Sequence, residues 1–123
     1  MKIISDKAHG ILDYATVAIF ALAPSILGLT GIAALVSYAL AAIHLIMTLL
    51  TDMPLGVLKI IPMRLHALVE MLVGPVLVLA ALVFPTVLGD NREFFLVMGL
   101  VIFAVWLLSS YGHPAVARET RST

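Results

Sequence analysis

The sequence predicts an all-α protein, a four-transmembrane-helix bundle made of two tandem helical hairpins. Three observations predict it. The chain is 63% hydrophobic and only 11% charged over 123 residues, whereas soluble domains run at about 45–50% apolar and about 25% charged. Its mean hydropathy is +1.17, and a soluble chain this small could not enclose so many Leu, Val, Ile and Ala side chains. The apolar residues fall into four stretches of the length that crosses a hydrocarbon layer, about 20 residues each. Finally, the chain repeats itself. Ala8–Gly28, AHGILDYATVAIFALAPSILG, is echoed by Leu65–Asp90, LHALVEMLVGPVLVLAALVFPTVLGD. His9 and Asp13 correspond to His66 and Glu70, and Pro24-Ser-Ile-Leu-Gly28 to Pro85-Thr-Val-Leu-Gly89. The second copy is longer between carboxylate and Pro by about one helical turn. Repeat 1 spans about residues 8–54 and repeat 2 about 65–114, within a single membrane domain.

Taken in order, residues 1–7 form a short polar start with Lys2, Asp6 and Lys7. A charged start before an apolar run resembles a signal peptide, and Ala21-Leu-Ala23 resembles a cleavage site. Pro24 would block that cleavage, Asp13 interrupts the apolar core, and the pattern recurs mid-chain. The segment is therefore expected to stay as the first span, about Ala8 to Leu27. Gly28-Leu-Thr-Gly31 is a tight turn whose Gly supplies the positive φ of a helix stop. The second span runs from about Ile32 to Leu50 and ends at Thr51-Asp52. Pro54, Gly56 and Pro62 prevent one straight helix from Met53 to Pro62, and its Leu, Ile and Lys suit a segment lying in the interface.

The third span covers about Met63 to Leu88, with Gly74-Pro75 as a kink. In the turn that follows, Gly89-Asp-Asn-Arg-Glu93, Asp90 and Glu93 have the spacing of a capping box. The fourth span covers about Phe94 to Tyr111 and stops at Gly112-His-Pro114, leaving a polar tail. Pro24 and Pro85 read as helix-end prolines rather than hinges. Trp106, Tyr111 and Tyr14 suit an aromatic belt, and the six Met residues are ordinary apolar filler.

Four spans put both termini on one side. Lys2, Lys7, Lys59, Arg64, Arg118 and Arg121 fall on that side and only Arg92 on the other. Under the positive-inside rule this places both termini in the cytoplasm, as in a bacterial inner-membrane protein. Each repeat has an even number of spans, so the two share an orientation and are expected to be related by a pseudo-twofold axis along the membrane normal.

The Pro-centred triplets Ala23-Pro24-Ser25 and Phe84-Pro85-Thr86 stand in the first helix of each repeat. With Leu50-Thr-Asp-Met-Pro-Leu-Gly56 and Lys59-Ile-Ile-Pro62 ahead of His66, they make the chain resemble the SPW-repeat integral membrane proteins. Neither copy has Ser before the Pro or Trp after it. What the resemblance implies is a small membrane protein with two transmembrane helices per repeat; it implies no activity.

Chemistry rests on polar groups within or beside the spans. His9 with Asp13, and His66 with Glu70, are spaced i,i+4 and each pair shares a helix face. A carboxylate so placed can orient an imidazole, and under the pseudo-twofold the two pairs could face each other at the cytoplasmic end. Asp52 and His113 end their helices at that level, while His44 lies roughly 12 Å deeper than Asp52. Ser37, Ala41, His44, Thr48 and Thr51 form a small-or-polar stripe on the second span that is expected to face protein, not lipid.

Three functional classes follow. The first is a non-enzymatic protein that assembles with itself or with a membrane complex through the Ser37/Ala41 face. The second binds a cofactor: haem, with His44 as ligand, or a divalent metal, with His9, Asp13, His66, Glu70 and His113 as donors. The third is an oligomeric proton or ion pathway. Against these stands the plainer reading that the His–carboxylate pairs only snorkel or cap at the interface. The absence of cysteine excludes disulfides and thiolate sites. The formal net charge of zero argues against nucleic acid. No phosphate-cradling glycine loop and no nucleophile–base set is present, so catalysis is the least supported class.

Overall fold

A computed structural model describes residues 3–109; His113, Arg118, Arg121, Tyr111 and Lys2 lie outside the described residues. The chain is all-helical. Helix α1 (Asp6–Leu27) begins at Ser5, whose Oγ accepts the Ala8 N–H at 3.2 Å, with Asp6 at the positive end of the dipole. It ends at Gly28, which takes φ +69° and donates its N–H to the Pro24 carbonyl, a left-handed stop that Gly adopts without strain. Helix α2 (Gly31–Leu50) returns antiparallel to it.

Pro24 lies inside the last turn of α1, and its missing N–H leaves the Phe20 carbonyl without its i+4 donor. Ser37 of α2 fills the gap, donating its Oγ–H to that carbonyl at 2.6 Å. Neighbouring hydroxyls restore proline-freed backbone groups in this way within membranes, where water cannot. The helix pair is thereby tied together.

Helix α3 (Met63–Val83) is shorter than the sequence suggests. The residue before a proline is steered away from the α region, and Phe84 accordingly takes φ −119°, ψ 56°. Pro85 then opens a one-turn helix, α4 (Pro85–Leu88), followed by a 3-10 turn at Gly89–Asn91. Helix α5 (Arg92–Leu108) starts earlier than Phe94 and stops short of Tyr111. Asp90 is wound into the 3-10 turn, so Asn91 takes the cap position, and it makes no side-chain capping bond; the capping box is not formed.

The most extensive packing lies within each hairpin, α1 on α2 and α3 on α5. Gly74 and Gly99 let α3 and α5 come together: a methyl at Gly99 would stand 2.7 Å from the Gly74 carbonyl oxygen. The core joins the hairpins, with Phe20, Ala23 and Ala41 from one side and Leu77, Ala81, Phe95 and Met98 from the other. Phe20 and Phe94 meet edge to face at 5.7 Å. Large apolar side chains such as Ile19, Leu22, Leu35, Ile43, Leu72, Val76 and Leu100 remain exposed on the outside, as lipid contact requires. Segments 6–27, 31–50, 63–83 and 85–108 are each long and apolar enough to cross a membrane. The protein has the fold of an integral membrane protein.

The stripe on α2 does face protein: Ser37, Ala41, Thr48 and Thr51 are buried. These four side chains are covered within the chain itself. Beyond it, the segment after α2 doubles back. Val57 and Leu58 donate to the Leu49 carbonyl, Ile60 and Ile61 to that of Leu50, and Asp52 to that of Ile61. These bonds satisfy carbonyls left open at the end of α2. At the end of α5 the N-terminal segment plays a similar part, with Ile4 donating to the Leu108 carbonyl at 2.9 Å.

Candidate metal centre

The i,i+4 spacing does what helical geometry demands. His9 and Asp13 project from one face of α1, and His66 and Glu70 from one face of α3, near the start of each helix. The two pairs meet. Asp13 and Glu70 lie four residues, about 6 Å, further along their helices than the histidines, which brings them level with His44 on α2.

Five side chains converge. His66 Nε2 is 2.9 Å from Glu70 Oε1 and 3.1 Å from Asp13 Oδ2. His9 Nε2 is 3.2 Å from Glu70 Oε1 and 3.2 Å from Asp13 Oδ2. His44 Nε2 stands at the edge, 3.3 Å from Asp13 Oδ1 and 4.0 Å from Glu70 Oε1. The His9 and His66 rings meet edge to face at 5.4 Å, and the His44 and His66 rings at 6.0 Å. His9 and His66 are fully buried and Asp13 and Glu70 only 2% exposed. The expectation that these groups merely snorkel at the interface is therefore not met. His44 is the more open member, its side chain 12% exposed.

Both histidines are held from behind by hydroxyls. His9 Nδ1 is 2.7 Å from Ser109 Oγ, and His66 Nδ1 is 2.8 Å from Thr51 Oγ1. Ser109 and Thr51 are fully buried and follow directly on α5 and α2. Sequence reasoning placed Thr51 in the stripe and at the end of the second span, and missed Ser109 altogether. The available signal was a hydroxyl residue recurring at the end of the second helix of each repeat.

Among the described residues, one buried side-chain atom makes no hydrogen bond. Asp13 Oδ2 is buried and makes no hydrogen bond, although it stands within ion-pair distance of two imidazoles, 3.2 Å from His9 Nε2 and 3.1 Å from His66 Nε2. Orphaned carboxylate oxygens are costly in an apolar interior. The four inner residues each offer a donor atom, all within 4.8 Å of one another. Around a tetrahedral ion with metal–ligand bonds of about 2.0–2.1 Å, donors stand roughly 3.3 Å apart. The imidazole–carboxylate distances of 2.9–3.2 Å, two of them hydrogen bonds to Glu70, fall slightly short of that spacing, so a small outward shift of the donors would admit an ion. His113, the remaining donor expected from the sequence, lies outside the described residues.

Fold and site together define the class: a small integral membrane protein with a buried His/carboxylate cluster of metal-binding composition. Comparison of the chain with protein-family models, curated proteins and solved structures finds no match.

Proposed function

We propose that this is a non-enzymatic, metal-binding membrane protein in which one divalent transition-metal ion joins the two hairpins. His9, Asp13, His66 and Glu70 are the ligands, and His44 stands ready as a fifth. The observation that carries the reading is the convergence of four donor atoms on one buried point, with Asp13 Oδ2 among them making no hydrogen bond. Two neutral imidazoles and two carboxylates sum to a charge of −2, which a divalent cation neutralises in a region that tolerates no net charge.

The donor set narrows the ion. Imidazole with carboxylate and no thiolate suits Zn2+, Fe2+, Mn2+ or Co2+, and disfavours Cu(I), Ca2+ and Mg2+. Haem is the poorer fit. Carboxylate oxygens 2.9–3.2 Å from both Nε2 atoms occupy the plane that a porphyrin between two axial imidazoles would need.

A pseudo-twofold relation of the repeats is supported by matched roles: His9 with His66, Asp13 with Glu70, Ser109 with Thr51, and Ile4 with Ile61. The clustering of basic residues beside the termini supports a centre near the cytoplasmic face of a bacterial inner membrane.

The test is to purify the full chain in mild detergent, measure its metal content and titrate the stripped protein with Zn2+ and Co2+. About one ion per chain is expected, with a Co2+ visible spectrum of nitrogen and oxygen ligation. Failure to take up any of Zn2+, Co2+, Mn2+ or Fe2+ at micromolar concentration overturns the proposal.

A further inference from the structure

A hydroxyl group has one proton to donate. Ser109 gives its proton to the Val105 carbonyl at 2.6 Å, and Thr51 gives its proton to the Met47 carbonyl at 2.6 Å. Toward the imidazoles both oxygens can only accept. The ring nitrogen they face, Nδ1 of His9 and of His66, must therefore carry a proton and donate it. In a neutral ring this leaves the lone pair on Nε2, the atom turned toward Asp13 and Glu70.

We infer that Thr51 and Ser109 are positioning residues of the metal centre, each fixing the Nδ1–H form of a histidine so that Nε2 becomes the ligand atom. The inference rests on the metal-binding reading above and specifies how the site is made. The arrangement is crossed between hairpins. His9 of α1 is oriented by Ser109 at the end of α5, and His66 of α3 by Thr51 at the end of α2. Each hairpin thus orients a ligand supplied by the other, and neither can build the centre alone.

Backbone pairing fixes the hydroxyls in turn. Ile4 bridges to Ser109 and Ile61 to Thr51, both in parallel register. Ile4 and Ile61 lie immediately before the caps of α1 and α3, Ser5 and Pro62. The chain entering each ligand-bearing helix is therefore paired with the residue that orients its histidine.

Serine and threonine often bond back to the i−4 carbonyl near helix ends without further role. What separates this pair is that both also reach a fully buried imidazole, at 2.7 and 2.8 Å. Outer partners of this kind raise ligand basicity and hold ring orientation, and their loss costs about 10–100-fold in metal affinity.

The test compares Thr51→Val and Ser109→Ala with the rescuing variants Thr51→Ser and Ser109→Thr, each as the full chain in detergent. Zn2+ and Co2+ affinities and the Co2+ absorption band are read beside metal-free helicity and thermal midpoint. Thr51→Val and Ser109→Ala are expected to bind about 10–100-fold more weakly with an altered Co2+ band, and the hydroxyl-retaining variants to return within a few-fold of wild type. Wild-type affinity in both Thr51→Val and Ser109→Ala overturns the inference. So does a loss that Thr51→Ser and Ser109→Thr fail to restore, since that marks packing. If one of the two hydroxyl-free variants does not fold, the other carries the same comparison. A wild-type chain that binds neither ion is a separate result: it refutes the metal reading itself, and this inference with it.

Discussion

Replacing Asp13 by Asn keeps the side chain's size and shape while removing a charge and one anionic donor. Asp13 touches three imidazoles, at 3.2, 3.1 and 3.3 Å, and owns the buried oxygen that makes no hydrogen bond. Losing an inner donor should cost more than the 10–100-fold typical of outer partners, so the affinity is expected to fall by more than about 100-fold. At a Zn2+ concentration of about 100 times the wild-type dissociation constant, binding stabilises the folded wild type by about 2.7 kcal/mol. The same Zn2+ then lies at or below the dissociation constant of Asp13→Asn, where the gain is at most about 0.4 kcal/mol. Unfolding in detergent with and without Zn2+ reads the difference directly. An Asp13→Asn chain that keeps a Zn2+ increment within about 0.5 kcal/mol of the wild-type ~2.7 kcal/mol would refute the coordination scheme.

Glu70→Asp keeps the charge but draws the carboxylate back by about one carbon–carbon bond, ~1.5 Å; Co2+ titration should show a loss close to that of Glu70→Gln, which separates coordination from mere charge balance. Gly56→Ala would drive a methyl into the Thr51 carbonyl oxygen, so it should weaken Zn2+ binding in the manner of Thr51→Val even though residue 56 is no ligand. Gly99→Ala forces a Cβ to 2.7 Å from the Gly74 carbonyl oxygen and should destabilise the α3–α5 crossing by about 1–3 kcal/mol in a denaturant titration. Ser37→Ala leaves the Phe20 carbonyl without its donor and should cost about 0.6–1.7 kcal/mol; in a Pro24→Ala background, which restores a backbone N–H, a double-mutant cycle should show most of that cost removed.

These predictions share one physical theme. The two hairpins are bound internally by close helix contact, and at one end they are also bound to each other by polar groups that water cannot serve. Within lipid, a buried polar group must find its partner in the protein. Each polar residue of the cluster lies on an element of one hairpin and makes at least one contact with the other, and Asp13 Oδ2, which lies beside His66 without a hydrogen bond, carries the case for an ion.

The four spans were legible because membrane insertion is decided by length and apolarity, both one-dimensional properties. The i,i+4 pairs were legible because helical periodicity alone places His9 with Asp13 and His66 with Glu70. Local steric rules also put helix ends at Gly28 and near Pro85, although the break at Phe84 and the 3-10 turn displaced the expected bounds of α3 and α5. The depth of His44 suggested a haem ligand apart from the His–carboxylate pairs, whereas the fold brings it to the edge of the same cluster. That Ser37 and Ala41 are covered inside the chain depends on what packs beside them, such as the Phe20 carbonyl of α1 that Ser37 meets. The roles of Thr51 and Ser109 were beyond sequence reasoning for the same reason: a hydroxyl at a helix end reads as a cap until the opposite hairpin sets an imidazole against it. Periodicity determines which face of a helix a residue occupies, but only packing between distant segments determines what that face meets.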